Sequence, residues 1–215
     1  MQLFVEKFTF NPFQENTYLV YASDKSAVII DPGCATAYER AELVNFIEQN
    51  ELTVKALLNT HCHIDHVMGN AFVIDKYKVD FYMHKLDLPV LVAAERSAQV
   101  YGIEGFVPSP QPNHFLEDHQ VLQFRAIELQ VIFGPGHAPG HVAFYSKENN
   151  FVVSGDILFQ GSFGRVDLPG GDIEVLKNTI HTRFFTLPAD TTIYCGHGPN
   201  TTVGQEKSSN YILQF

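Results

Sequence analysis

The feature that most restricts the fold of this chain is a run of six residues, His61-Cys62-His63-Ile64-Asp65-His66. It follows VKALLN (54–59), a short apolar segment of the buried-strand type. Side chains of extended backbone alternate with a period of two, so His61 and His63 share one face. Two imidazoles on one face suit a single metal ion. Asp65 and His66 fall where the chain turns toward the next helix and can aim at a second ion. A helix N-cap role for Asp65 would explain the carboxylate alone. It leaves the neighbouring imidazoles without a reason.

The ten histidines are unevenly spread elsewhere too. ELQVIF runs into GPGHAPGH, with His137 and His141. FVVS runs into GDILF, with Asp156, and TTIYC into GHGP, with His197. Each segment places a ligand-type residue just past an apolar strand and a glycine-containing turn, the edge where open α/β sheets collect ligands. Singly, a Gly-Asp reads as a turn and a His after Gly as a solvated loop residue. Together with 61–66 they point to a metal centre. Cys62, pointing away from the ligand face, and Cys195, ending a strand, read as buried small hydrophobes. His84, His114, His119 and His181 read as surface residues.

The rhythm around these clusters is strands, then helix, then strands, twice over. Strand-like VEKFTF, NTYLVYA and SAVIIDPG precede an amphipathic helix over 37–50. VMGNAFVIDKY reads as a helix, VDFYMH as a strand, and 85–102 as a helix once past Pro89. Residues 105–115, GFVPSPQPNHF, read as a loop or lid that supplies an apolar wall over a substrate. The second half adds HQVLQF, ELQVIF, VAFYS, FVVSG and TTIYC as strands and 172–184 as a helix. No linker or fixed repeat divides the chain, so 1–215 reads as a single α/β domain, large enough to bury a core unaided.

Composition narrows the partners. The chain has 215 residues, a formal net charge of −10 and no Lys/Arg cluster, so its average surface repels phosphate backbones and anionic lipid. The expected partner is a small-molecule substrate, with neither nucleic acid nor membrane, and the expected state a monomer or homodimer. The N-terminal MQLFVEKFTF does not resemble a signal peptide, and three scattered cysteines make no disulfide framework, so the cytoplasm is the expected location.

THCHIDH, GHAPGH, SGDILF and YCGHGP, in this order, resemble the metallo-β-lactamase superfamily, and within it the short glyoxalase II-like hydrolases. The resemblance implies a four-layer αββα sandwich with metals at one edge of two sheets. It implies two divalent ions, zinc first and iron as the alternative. His61, His63 and His137 would hold one ion, Asp65, His66 and His197 the other, and Asp156 would bridge them. Asp31 in IIDPG matches a position that braces the metal loops. His141 matches a histidine that is not usually a ligand and reads as a supporting residue. Arg165, in GSFGRVDLPGGD, either pairs with Asp167 or binds a substrate carboxylate.

The implied chemistry is hydrolysis by a metal-bridging hydroxide, with Asp65 as ligand and proton acceptor, on a thioester-type substrate. A thiolate leaves without a general acid. Glyoxalase II proper carries basic residues in a C-terminal helical region that grip glutathione. Past His197 this chain has only Lys207, so weak use of the glutathione moiety is expected. Two alternatives stand beside this reading. One is a mononuclear-iron persulfide dioxygenase, whose relatives share the GSFGRVDLPGGD stretch; the other is a non-catalytic metal-binding domain. Two-zinc lactamases tend to have a cysteine where Asp156 stands, which disfavours lactam hydrolysis.

Overall fold

The computed structural model describes residues 1–215. Its first sheet has strand order β1 (Leu3–Phe10), β2 (Glu15–Ala22), β3 (Ser26–Ile30), β4 (Thr53–Leu58), β5 (Asp80–His84) and β6 (His114–Leu116). The first three strands are antiparallel hairpin neighbours, and β3 through β6 run parallel. Parallel neighbours need crossovers. These are α1 (Ala37–Gln49), α2 (Ile64–Val67) with α3 (Asn70–Tyr77), and α4 (Leu88–Tyr101). The second sheet is built from β7 (Val121–Phe124), β8 (Ile127–Phe133), β9 (Val142–Ser146), β10 (Phe151–Gly155), β13 (Thr192–Cys195) and β14 (Thr201–Thr202). A small hairpin, β11 (Leu158–Phe159) with β12 (Ser162–Phe163), follows β10; α5 (Ile173–Thr179) and α6 (Val203–Ser209) flank this half.

Three apolar clusters separate four layers. Leu19, Ile29 and Leu57 of the first sheet pack on Leu43 of α1, Val73 of α3 and Leu91 of α4. The alternate residues Tyr18, Val20, Val28 and Ile30 face the second sheet, meeting Leu129, Val131, Phe144 and Val153. On its far side Ile132, Val152 and Ile193 pack against Leu176, Ile180 and Val203. Central strands are therefore buried on both faces, which is why β3, β9 and β10 are apolar almost throughout. This is the expected αββα sandwich of the metallo-β-lactamase type. No helix is long and apolar enough to cross a membrane.

Three local departures from the sequence reading have physical causes. The segment read as one helix from Val67 starts earlier, at Ile64, and breaks at Gly69. Gly69 donates its N–H to the Pro32 carbonyl at 2.6 Å, and a Cβ there would lie 2.5 Å from Cys34 Sγ. The helix expected after Pro89 begins at Leu88, with proline in the first turn where its missing N–H is harmless. The 172–184 helix is α only to Thr179 and finishes as a π-turn over Ile180–Phe184.

Candidate metal centre

Strand ends bring the site together. β3 ends at Ile30 and delivers Asp31; β4 ends at Leu58 and leads through Asn59 and Thr60 to His61 and His63. Asp65 and His66 sit in α2, whose first turn starts directly after His63. The β8–β9 loop carries His137 and His141, β10 leads into Asp156, and β13 into His197. Packing here is tight enough to specify residue size: a Cβ on Gly196 would stand 2.0 Å from Asp156 Oδ1.

Two groups of donor atoms result. In the first, His137 Nε2 lies 2.8 Å from His63 Nδ1 and 3.2 Å from His61 Nε2. In the second, Asp65 Oδ2 lies 3.2 Å from His197 Nε2 and 3.7 Å from His66 Nε2. Asp156 stands between them. Its Oδ2 is 3.5 Å from both His137 Nε2 and His197 Nε2, and its Oδ1 is 3.4 Å from His66 Nε2. Each group, His61/His63/His137 and Asp65/His66/His197, could hold a metal ion.

The hydrogen bonds behind the rings decide which nitrogens carry lone pairs. His137 donates from Nδ1 to the Arg165 carbonyl at 2.7 Å, and His197 from Nδ1 to the Phe13 carbonyl at 3.1 Å. His66 donates from Nδ1 to Asp31 Oδ2 at 3.1 Å. The Thr60 hydroxyl donates to Asp31 and so accepts from His61 Nδ1 at 3.1 Å. Neutral imidazole has one donor and one acceptor nitrogen. The Nε2 atoms of these four rings are thus bare acceptors pointing inward. Bare Nε2 atoms 3.2 Å apart on His61 and His137 repel unless a cation lies between them. The buried His66 Nε2 and Asp156 Oδ1 have no hydrogen-bond partner at all. Orphaned acceptors of this kind, in a nitrogen-and-carboxylate set, fit divalent metal.

For the first donor group electrostatics agree. Burial holds His61 well below the usual histidine range and takes His63 down to about 3. Burial also lowers His137, so these lone pairs are available at neutral pH. In the second group burial works against charge, but Asp65 and Asp156 push His66 well up and raise His197, so the carboxylates call for positive charge there, from a proton or from a metal ion. Burial would raise Asp156; His66, His137 and His197 outweigh it and keep the carboxylate ionised.

The three residues read as supporting or substrate candidates lie around this core. Asp31 orients His66 directly and His61 through Thr60. His141 is fully buried, accepts from the Asp156 N–H at 3.0 Å through Nε2 and stacks on His61. Arg165 is exposed at the cleft rim, with Nε and Nη2 each 2.7 Å from the Asp167 carboxylate. Asp87 was not visible as a candidate in the sequence. Its buried carboxylate accepts from the Cys62 N–H at 2.7 Å and the Gly140 N–H at 2.6 Å, clamping the two loops that carry His61, His63 and His137. An Asp before a Leu-Pro helix start was the only local sign.

Two expectations need correction. His84 is not a surface residue: it is buried, accepts from the Leu86 N–H and stacks on Phe133 at 4.6 Å. Residues 105–115 contribute nothing to the cleft over the donor atoms, a space of about 730 Å³. One wall is α4, through Pro89, Val90 and Ala93; the other runs from the β11–β12 hairpin to Leu168, through Phe159, Phe163 and Leu168 itself. The proline-rich stretch instead leads into the edge strand β6, away from the strand ends that carry the ligands.

Comparison with known proteins matches this geometry to one family. The model of the "Metallo-beta-lactamase superfamily" matches residues 10–197. The chain is 37% identical to the "Probable metallo-hydrolase YqgX" of Bacillus subtilis, over 94% of this chain and 93% of that one. It is 36% identical to the "Hydroxyacylglutathione hydrolase GloC" of Haemophilus influenzae, with the same coverage of each. The crystal structure of TTHA1623 in a di-iron-bound form superposes with a TM-score of 0.86 at 39% identity, covering 96% of this chain and 99% of that one. That of the BLEG-1 B3 metallo-beta-lactamase gives 0.89 at 34% identity, covering 99% and 100%. With its His/Asp donor clusters at the sheet edge, the chain belongs to the metallo-β-lactamase superfamily of metallo-hydrolases.

Proposed function

We propose that this protein is a binuclear metal-dependent thioester hydrolase acting on a small-molecule substrate. The observation that carries the reading is Asp156, whose Oδ2 is equidistant, at 3.5 Å, from a nitrogen of each donor group. His61, His63 and His137 would hold one ion, and Asp65, His66 and His197 the other, with Asp156 shared. Bound divalent metal, zinc or iron, supplies Lewis acidity and brings the pKa of water down to about 7.

The chain's own residues do the rest. The Arg165 and Phe13 carbonyls, Thr60 and Asp31 fix the tautomers and orientations of the ligand rings. Asp65, one oxygen 3.2 Å from His197 Nε2, would orient an attacking water and take its proton. Apolar side chains on both walls, Val90 and Ala93 facing Phe159 and Phe163, flank the space where the carbonyl would lie. The leaving thiolate asks for no acid. Only one cation, Arg165, lines the cleft, already paired with Asp167, so a dianionic carrier such as glutathione finds little to grip. The GloC relative, of nearly the same length, supports keeping lactoylglutathione in the test all the same. A second reading, lactam hydrolysis, is favoured by the likeness to BLEG-1.

Metal-replete protein assayed on lactoylglutathione, smaller thioesters, a lactone, a lactam and a persulfide decides among these. The expected result is about two ions per chain, thioester cleavage, and a high KM for lactoylglutathione. One iron with oxygen consumption on persulfide would assign a dioxygenase. Lactam cleavage without thioester cleavage would assign a lactamase.

A further inference from the structure

We infer that the acyl half of the substrate is apolar and lies along α4, so that the protein selects medium-chain over short acyl thioesters. This rests on the thioester reading. The face of α4 turned to the cleft is Pro89, Val90, Ala93, Ala94, Ser97 and Tyr101. It carries no charge. Its one small polar group is already satisfied, because the Ser97 hydroxyl donates to the Ala93 carbonyl of its own helix at 3.3 Å. Small side chains in the middle of the face leave a trough. Tyr101, edge-on to Phe13 with ring centres 5.3 Å apart, closes one end.

The facing wall is of another kind. Phe163 is backed by Tyr211 and Phe215, an aromatic stack that holds it in place. Beside it Arg165 is the one cation that lines the cleft. Because one wall carries the Arg165–Asp167 ion pair and the α4 face carries no charged group, the walls differ in polarity and sort the two halves of a thioester. The polar carrier faces the ion-pair side, and the hydrocarbon faces α4. A carbonyl lying over the two donor groups then directs its chain into the trough. Each methylene removed from water there gains about three- to fourfold in binding.

The test holds the carrier constant. Acetyl, butyryl and hexanoyl thioesters of N-acetylcysteamine are compared on the metal-loaded protein. The kcat/KM is expected to rise roughly 80- to 250-fold from acetyl to hexanoyl if all four added methylenes are buried. Calorimetry on metal-free protein, with ketone analogues in which CH2 replaces the thioester sulfur, should show the same preference in Kd. Ala93→Asp puts a charge on the exposed face of the trough without touching the core, and should erase the chain-length preference in both measurements. Val92→Asp, exposed on the same helix but outside the cleft, should retain it. Thioester cleavage with flat or falling dependence on chain length overturns this inference and leaves the thioester reading intact. Cleavage of no thioester at any length overturns both.

Discussion

A buried carboxylate that forms no salt bridge, such as Asp87, keeps its charge only against a desolvation penalty. Burial pushes Asp87 up to about 6, although the Gly140 and Cys62 N–H groups pull the other way. Protonation is thus easier in the folded protein than in the unfolded chain. The corresponding stability is fully present below the unfolded value, near 4, and is lost as pH rises through about 6. Replacing Asp87 with Asn removes that dependence. Between pH 4 and 7 the wild-type protein should lose about 2 kcal/mol relative to Asp87→Asn, read by urea unfolding at each pH. A parallel pair of curves would mean that the N–H clamps compensate the buried charge in full. The residue persists at neutral pH despite this cost because no uncharged side chain of its size offers two acceptor oxygens to the two ligand loops.

Among the elements, α1 shows how a local signal and a distant contact share one residue. Thr36 caps the helix by accepting from the Glu39 N–H at 3.2 Å, and Glu39 returns the bond to the Thr36 N–H at 2.8 Å. Thr36 and Glu39 stand at the three-residue spacing of a capping box. Not legible was the second oxygen of Glu39, which accepts from the Asn11 N–H at 2.7 Å and ties the helix to the β1–β2 turn. Thr36→Ala should cost about 1 kcal/mol, the ordinary value of a cap. Glu39→Ala should cost more, because it also leaves Asn11 unpaired, and urea midpoints of the two variants measure the difference. The split of 64–77 into α2 and α3 was hidden for a related reason. Gly69 looked like an ordinary glycine within an apolar period, and its close approach to Pro32 belongs to a different part of the chain.

For the whole molecule, the donor groups couple stability to metal. Side chains delivered by the ends of β4, β8, β10 and β13 converge on two sets of unpaired acceptors, and whatever binds only the folded chain stabilises it by mass action. A chelator should therefore lower Tm, and added metal should restore it. Asp156→Ala, which removes the group placed between both sets, should melt near the chelated wild-type value and respond little to chelator. Differential scanning calorimetry on the two proteins, with and without chelator, checks both statements. The strands, the helices and the clustered histidines and aspartates were legible from sequence because they obey short-range rules, while the αββα sandwich followed from the family resemblance. Strand and helix periods are local, and a histidine or aspartate after each apolar run is a repeated local pattern. Asp87, the burial of His84 and the identity of the cleft walls were not legible. They depend on which segments pack across the sheets, at separations of 25 and 53 residues for the two Asp87 bonds. The proline-rich segment looked like a lid by composition. Only the order of strands, with β6 at the sheet edge, decided that α4 is the wall instead.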